Sequence, residues 1–320
     1  MKFKIEAPSR LHFGLLARNP ELPRQFGGVG VMIREPGSIL RAEPAEEFGT
    51  SGQLSTSGQL SHRVKDFAQR YCQAVEKSLP ATQLILESNA PEHSGFGTGT
   101  QVGLLTAKAL SLLTGDIQAT GPELAERIGR GGRSGIGLHG FEHGGLLVDG
   151  GKSRHDKVAP LVARHPVPDE WRFVVVIPEA LQGLHGGAEE QAMRELAIPV
   201  SRTEKLSRIV LMGILPTIAK QDFQGFSEAI YEFNYEAGLC FKAAQGGVYA
   251  GPLLADIVEY IRSSGFPGAG QSSWGPAVFG LVPNAASARR LLAQISERFG
   301  FNESEILVTQ ADNQGATFDI

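Results

Sequence analysis

The order of strand-like and helix-like stretches predicts an α+β fold in two lobes, β-rich in the first half and α-rich in the second. Three observations lead there. At 320 residues the chain is longer than one small core can organise. Its opening is dominated by short alternating apolar and polar runs, and from Arg202 onward helical periodicity takes over. The two signals do not alternate regularly enough for a doubly wound sheet. A boundary near residues 150 to 170 divides the chain into lobes over 1–160 and 161–320.

The stretch "KFKIEAPSRLHFGLL" reads as two short strands broken at Pro8, and "GGVGVMI" and "SILRAE" continue the β-rich opening. "GTSGQLSTSGQLS" contains SGQLS twice; it is short and polar, which predicts a surface loop and not a repeat architecture. From His62 to Ser78, Val64, Phe67, Ala68, Tyr71, Cys72 and Val75 share one helical stripe. "ATQLILESN" is a strand that feeds "PEHSGFGTGT", and "TQVGLLTAKALSLLTG" is a helix, apolar nearly all round, that Gly115 caps. A short helix from Pro122 to Ile128 precedes a second glycine cluster, "GRGGRSGIGLHGFEHGGLLVDGG". "FVVVIP" is a strand; "LSRIVLMGILPTIAK", "FQGFSEAIYEFNYEAG" and "GPLLADIVEYIRSSG" are helices. In the second of these the aromatic side chains are core residues, with a Phe or Tyr available to line a pocket for an arene.

Composition narrows the function. A net charge of −4 and a pI of about 6.1, without a Lys/Arg run, give no electrostatic footprint for nucleic acid. No apolar run approaches the roughly 18 residues needed to span a bilayer, and no signal-peptide pattern opens the chain, so a cytoplasmic protein with small-molecule partners is expected. Cys72 and Cys240 fall in helical segments and are expected as reduced thiols, too far apart in pattern for a zinc site. Serine hydrolysis is set aside because Ser134 lacks nucleophile-elbow spacing.

The compositional oddity is forty glycines, well above the usual ~7%, and they cluster. Strand, glycine turn, then helix presents free N–H groups and the positive end of a helix dipole to an anion. Gly95, Gly97, Thr98, Gly99 and Thr100 are therefore candidate phosphate ligands, with both threonine hydroxyls as extra donors. The loop is not a Walker A motif, and "GLLVDGGKS" misses that spacing by one residue. In the second cluster Arg133, Ser134 and Gly135 are candidates for another phosphate, since arginine pairs well with phosphate oxygens. His12, His93, His139, His143 and His185 all lie in or beside glycine-rich segments; His93 and His143 rank highest as proton donors to a phosphate or leaving group. Gly97→Val is expected to abolish activity while leaving the fold intact, its bulk occupying the anion position.

"APSRLHFGLL", "PEHSGFGTGTQ" and "GFPGAGQSSWGPAVFG" resemble, in order and spacing, the three motifs of the GHMP kinase superfamily: an Ala-Pro-Gly-Arg-like strand, a Pro-x-x-x-Gly-Leu-x-Ser-Ser-Ala phosphate loop and a late Gly-Ala-Gly turn. The resemblance covers nearly the whole chain and implies that superfamily's two-lobed fold. Two features depart from a kinase. Thr98-Gly99-Thr100 replaces the Ser-Ser-Ala end, and where many family kinases carry an aspartate base, "SGIGLHGF" has no acid before Glu142. With "GRGGRSGIG" and "FEHGGLLVDGG", these departures resemble a non-kinase branch, the β-ribofuranosylaminobenzene 5′-phosphate synthase family.

That resemblance implies condensation of phosphoribosyl pyrophosphate with 4-aminobenzoate, or 4-hydroxybenzoate, with release of pyrophosphate and CO2 in tetrahydromethanopterin biosynthesis. The alternative is an ATP-dependent small-molecule kinase on the same fold. The synthase reading places pyrophosphate on the 95–100 loop, a substrate carboxylate near Arg10 and His12, and further substrate contacts at Gly268, Gly270, Gln271 and Ser272. Glu142 joins His93 and His143 as a catalytic candidate. Mg2+ is expected with the pyrophosphate, touched by Glu142 or Asp149, with no organic cofactor; a homodimer is the implied assembly. The familiar phosphoribosyltransferase fold is not implied, because "FVVVIPEALQG" supplies only Glu179 where that fold uses adjacent acids.

Overall fold

The computed structural model describes residues 1–52, 59–179, 181, 183 and 186–319. In chain order the elements are β1 (Phe3–Ala17), β2 (Phe26–Pro44), β3 (Gly49–Gly52), α1 (Gln59–Ala74), β4 (Thr82–Ser88), α2 (Thr98–Thr114), α3 (Gly121–Arg127), α4 (Ile136–His143), β5 (Leu146–Asp149), β6 (Leu161–His165) and β7 (Arg172–Val176). There follow α5 (Gly186–Glu195), α6 (Val200–Ile209), a π-turn, α7 (Leu215–Ala219), α8 (Phe223–Gln245), α9 (Pro252–Ser263), β8 (Ala269–Gln271), β9 (Val278–Val282), α10 (Ala285–Phe299), β10 (Ile306–Thr309) and β11 (Thr317–Asp319). The fold is α+β, in two sheets.

The first sheet runs β11-β1-β2-β4-β3, with β5 and β6 continuing from β2; the second runs β10-β7-β9-β8. The two strands expected at the N-terminus are one. Pairing with β2 skips between Ala7 and Ser9, so Pro8, which has no N–H to give the ladder, is absorbed as an irregularity and not as a break. A second skip between His12 and Gly14 lies where the strand enters the cleft described below. Of the duplicated SGQLS region, Gly49–Gly52 pairs in parallel with β4, the second copy runs into α1, and residues 53–58 lie outside the described residues, as does His185.

Burial explains why the second half of β1 reads as apolar without alternation. Helices α2, α4 and α8 all pack on this strand, and from Ala7 to Ala17 nearly every residue is buried. On β7 the faces separate: Phe173 and Val175 join a core with Leu11, Phe13, Val31, Phe96, Phe226 and Phe279, whereas Val174 and Val176 join one with Leu254, Ile257, Ile261, Leu291 and Ile295. The first of these cores is shared by both sheets. A third, built on Ile5, Leu40, Tyr71, Leu84, Leu105 and Leu110, holds α1 and α2 against the first sheet. The sheets do not divide the chain at one cut near residue 160, because β6 pairs with β5 and β11 returns to β1.

Helix α2 ends as its sequence predicts. Gly115 is left-handed at φ 83°, and the following amide, Asp116 N–H, donates to the Ser111 carbonyl at 2.9 Å. A Cβ at Gly115 would meet nothing within 4 Å, so Gly115→Ala isolates the backbone term. It is expected to cost ~1 kcal/mol, read as a lower urea midpoint at unchanged slope; equal stability would contradict the cap.

Cys72 and Cys240 are free thiols on α1 and α8. Among the described residues no helix is long and apolar enough to cross a membrane.

Candidate active site

The segment between β4 and α2 ends in a left-handed residue, Gly97, at φ 73°. A non-glycine residue is unfavourable there, and a Cβ would stand 2.6 Å from Arg10 Nε. Among the described residues, the N–H groups of Gly97, Thr98 and Gly99 donate to no protein acceptor, whereas Thr100 N–H turns back to the Gly97 carbonyl at 2.8 Å. The first turn of a 17-residue helix thus presents unpaired donors at its positive end.

Four arginines from three segments converge on those donors. Arg10 comes from β1, whose Arg10 N–H donates to the Phe96 carbonyl at 3.0 Å and so ties the strand to the loop. Its Nη1 is buried with no partner. Burial, set against the attraction of Glu189, pulls its pKa down to about 10; it stays charged at neutral pH and incompletely solvated. Arg130 is pulled to about 10 as well, by burial first and then by repulsion from Arg63, Arg70 and Arg133, with its guanidinium 5.0 Å from the Phe67 ring centre. Arg63 on α1 pairs with Glu92, and Arg133 pairs with Glu189 on α5. Four arginines against two glutamates leave the cleft cationic, which is the condition for holding a polyanion.

The cleft has a volume of about 440 Å³, within the usual range for small-molecule sites. Part of its lining is apolar. Phe241 and Trp274 meet edge to face with ring centres 4.6 Å apart, and Leu15 and Met193 complete that wall. His12 lines the cleft on the same strand as Arg10. Its Nε2 lies 3.1 Å from Ser134 Oγ, and that hydroxyl donates to Asp149 Oδ2 at 2.8 Å. Burial, then Arg10, holds the imidazole well below its usual pKa, so it is neutral.

The chain is 32% identical to the beta-ribofuranosylphenol 5'-phosphate synthase of Methanothermobacter thermautotrophicus over 98% of its length and 97% of that relative's. The Archaeoglobus fulgidus protein of the same name is 31% identical over 99% of both chains.

The chain belongs to the beta-ribofuranosylphenol 5'-phosphate synthase family.

A model of the GHMP kinase C-terminal region also matches residues 214–300. Among solved structures, the mevalonate diphosphate decarboxylase of Staphylococcus aureus superposes with a TM-score of 0.69 over 100% of this chain and 98% of its own at 14% identity. The homoserine kinase of Cytophaga hutchinsonii gives 0.67 over 99% and 97% at 15%. The GHMP fold is common to all of them.

Measured on this synthase-family chain, the residues expected from sequence separate into two groups. Arg10, His12, His93, Gly95, Gly97, Thr98, Gly99, Thr100, Arg133 and Ser134 line the one cleft. The rest lie elsewhere. Glu142 and His143 end α4, a helix whose opposite end abuts the cleft; Glu142 accepts from Gly121 N–H at 3.0 Å and lies 3.9 Å from His143 Nε2. About 1.5 Å of rise per residue separates them from the cleft end. Asp149 is buried behind the cleft, its carboxylate accepting from Ser134 Oγ, Gly135 N–H and Gly151 N–H; burial raises its pKa and these bonds oppose the shift. It holds a loop and is not placed to meet a cation. Gly135 gives its amide to Asp149 at 2.8 Å and so has none for phosphate.

The late motif acts from behind. A Cβ on Gly268 would stand 3.0 Å from Ser227 Cβ on α8, and Gly270 packs on Asn234. The Gln271 carboxamide accepts from Ala250 N–H at 2.8 Å, and Ser272 Oγ accepts from His12 N–H while donating to the Gly95 carbonyl at 2.8 Å. These four residues brace the loop; Ser273, Trp274 and Gly275, just beyond them, line the cleft. Thr98 also differs from expectation, its hydroxyl donating to the Pro91 carbonyl at 2.9 Å. His139 is structural, its Nε2 2.8 Å from the Ala159 carbonyl. Arg63 and Phe241 carried no motif that marked them; Arg130, in the second glycine cluster, and Trp274, in the late "GFPGAGQSSWGPAVFG" stretch, lay inside motifs but were not singled out.

Proposed function

We propose that the protein condenses phosphoribosyl pyrophosphate with 4-hydroxybenzoate or 4-aminobenzoate, releasing pyrophosphate and CO2, as a step of tetrahydromethanopterin biosynthesis. The observation that carries this is one cleft lined both by arginines and unpaired amides and by the Phe241–Trp274 pair. The relatives' name, which describes a phenol bearing a ribofuranosyl 5'-phosphate, agrees with it.

Pyrophosphate sits on the Gly97, Thr98 and Gly99 amides with Arg10, Arg63 and Arg130, and Arg133 takes the 5′-phosphate. Breaking the C1–O bond builds positive charge on the ribose and negative charge on the departing pyrophosphate. Fixed amides and arginines aimed at that second charge lower the barrier. The aromatic wall holds the benzoate ring so that its carboxylate-bearing carbon faces C1. Magnesium bound with the diphosphate would neutralise part of its charge. Among the described residues no three His, Cys, Asp or Glu side chains converge, and the cleft's carboxylates, Glu92 and Glu189, are the residues that would face such a cation. The working form is a homodimer in the cytoplasm.

Incubation with phosphoribosyl pyrophosphate, Mg2+ and either carboxyl-labelled acid is expected to release labelled CO2 and pyrophosphate in equal amounts. ADP formation from ATP without CO2 would instead assign an ATP-dependent kinase, and neither product would leave only a phosphate-binding protein.

A further inference from the structure

We propose that His12 is the proton acceptor of this site, its Nδ1 taking the hydroxyl proton of a phenolic substrate, with Ser134 and Asp149 as positioning residues that fix the ring. The assignment rests on the aromatic-acid reading above.

With Asp149 ionised, the hydrogen bonds allow one tautomer. Asp149 accepts on both oxygens, from Ser134 Oγ and Gly135 N–H at 2.8 Å and from Gly151 N–H at 3.0 Å. The only hydroxyl proton of Ser134 is therefore spent on the carboxylate. Ser134 Oγ already accepts from Ile136 N–H at 3.2 Å, so toward His12 it can only accept again, and His12 Nε2 must carry the hydrogen. The lone pair is left on Nδ1. No hydrogen bond to that atom is made among the described residues, and His12 lines the cleft.

The backbone is held as tightly as the ring. His12 N–H donates to Ser272 Oγ at 3.0 Å and its carbonyl accepts from Ser273 N–H at 3.0 Å. Room for the imidazole comes from Gly28 on β2, where a Cβ would stand 2.9 Å from Nε2. The ring lines the cleft together with Arg10, Leu15 and Trp274. Arg10 is one reason the free imidazole is a weak base; a diphosphate paired with Arg10 cancels that repulsion and raises its basicity when substrate is in place.

The proton balance is closed. Nδ1 takes the phenolic O–H proton as the carboxylate-bearing ring carbon bonds to ribose C1, and the C1–O pair leaves on pyrophosphate. The dearomatised ring then loses its carboxylate as CO2. The C–C pair restores the aromatic phenolate, which recovers its proton from Nδ1. Nothing is oxidised or reduced. 4-Aminobenzoate has a nitrogen lone pair ready to donate, so its attack does not wait on proton removal.

His12→Gln keeps a donor toward Ser134 and removes the Nδ1 acceptor. It is expected to lower kcat/KM with 4-hydroxybenzoate about 100-fold more than with 4-aminobenzoate, the scale of general-base assistance. Equal losses with both acids would overturn the proposal. Independently of turnover, 15N spectra of histidine-labelled protein, with the His12 signal assigned by its disappearance in His12→Gln, should show an Nε2-protonated neutral ring that becomes a tautomer mixture in Asp149→Asn. An Nδ1-protonated ring in the unaltered protein would overturn it. Should the unaltered protein turn over neither acid, the reaction itself would be wrong, while a fixed Nε2–H tautomer would still support His12 as the cleft's proton acceptor.

Discussion

Arg10→Ala is expected to lower kcat/KM for phosphoribosyl pyrophosphate by roughly 10²–10³-fold while leaving stability equal or higher. The two halves of that result share one cause. In the free protein the guanidinium is buried beside the loop with Nη1 unpartnered, and burial is the largest influence on its pKa. A charge held in that state opposes folding, and an anion that pairs with it gains what water no longer supplies. Truncating one member of a buried charged pair costs about 2–5 kcal/mol of binding, and each 1.4 kcal/mol is tenfold. Arg10→Lys should recover little, since a point charge does not reproduce a planar fork with a second N–H. Steady-state kinetics with the diphosphate varied, paired with urea unfolding, reads both halves. An unchanged KM and kcat would remove Arg10 from the anion site.

Gly97→Val is expected to lose at least 100-fold in activity and, unlike the outcome its sequence context suggests, about 2 kcal/mol of stability as well. The residue is left-handed, a conformation that costs an L-residue roughly 1–2 kcal/mol and a β-branched one more. Its side chain would not fill the anion position. It would strike Arg10, 2.6 Å from Nε, displacing the cation and the Gly97 amide together. Gly97→Ala should show the same pattern at smaller amplitude. Full activity in the valine variant, with a normal urea midpoint, would disprove the placement of this loop.

Much of the site was legible because backbone requirements leave local marks. The alternate glycines from Gly95 to Gly99, a strand before them and an apolar run after them say that an amide-rich turn opens a helix, and it does. Arg133 was visible for a related reason, lying in the glycine cluster before α4, whereas Arg10 and His12 stood out through the resemblance of their strand to a family motif. Arg63 was not visible: on α1 it sits outside the apolar stripe, where an arginine reads as a solvated charge, and only the packing of α1 beside α2 aims it at Gly99. Phe241 lies in a helix whose aromatic residues mostly serve the core; four turns along α8 decide which one reaches the cleft. Glu142 misled for the converse reason. It is near the glycine cluster in sequence, but α4 carries it away along its axis and sets it against Gly121.

By itself the sequence determined the local conformations of this protein: the strands and helices, the left-handed ends of α2 and the α+β class, because these follow from interactions within a few residues along the chain. Only the tertiary structure decided which charges share a cleft, that Asp149 is linked to His12 through Ser134, and which aromatic pair joins them there. Those outcomes depend on sheet register and on helices from distant segments packing on β1, and no short-range pattern encodes a distance between residues that far apart.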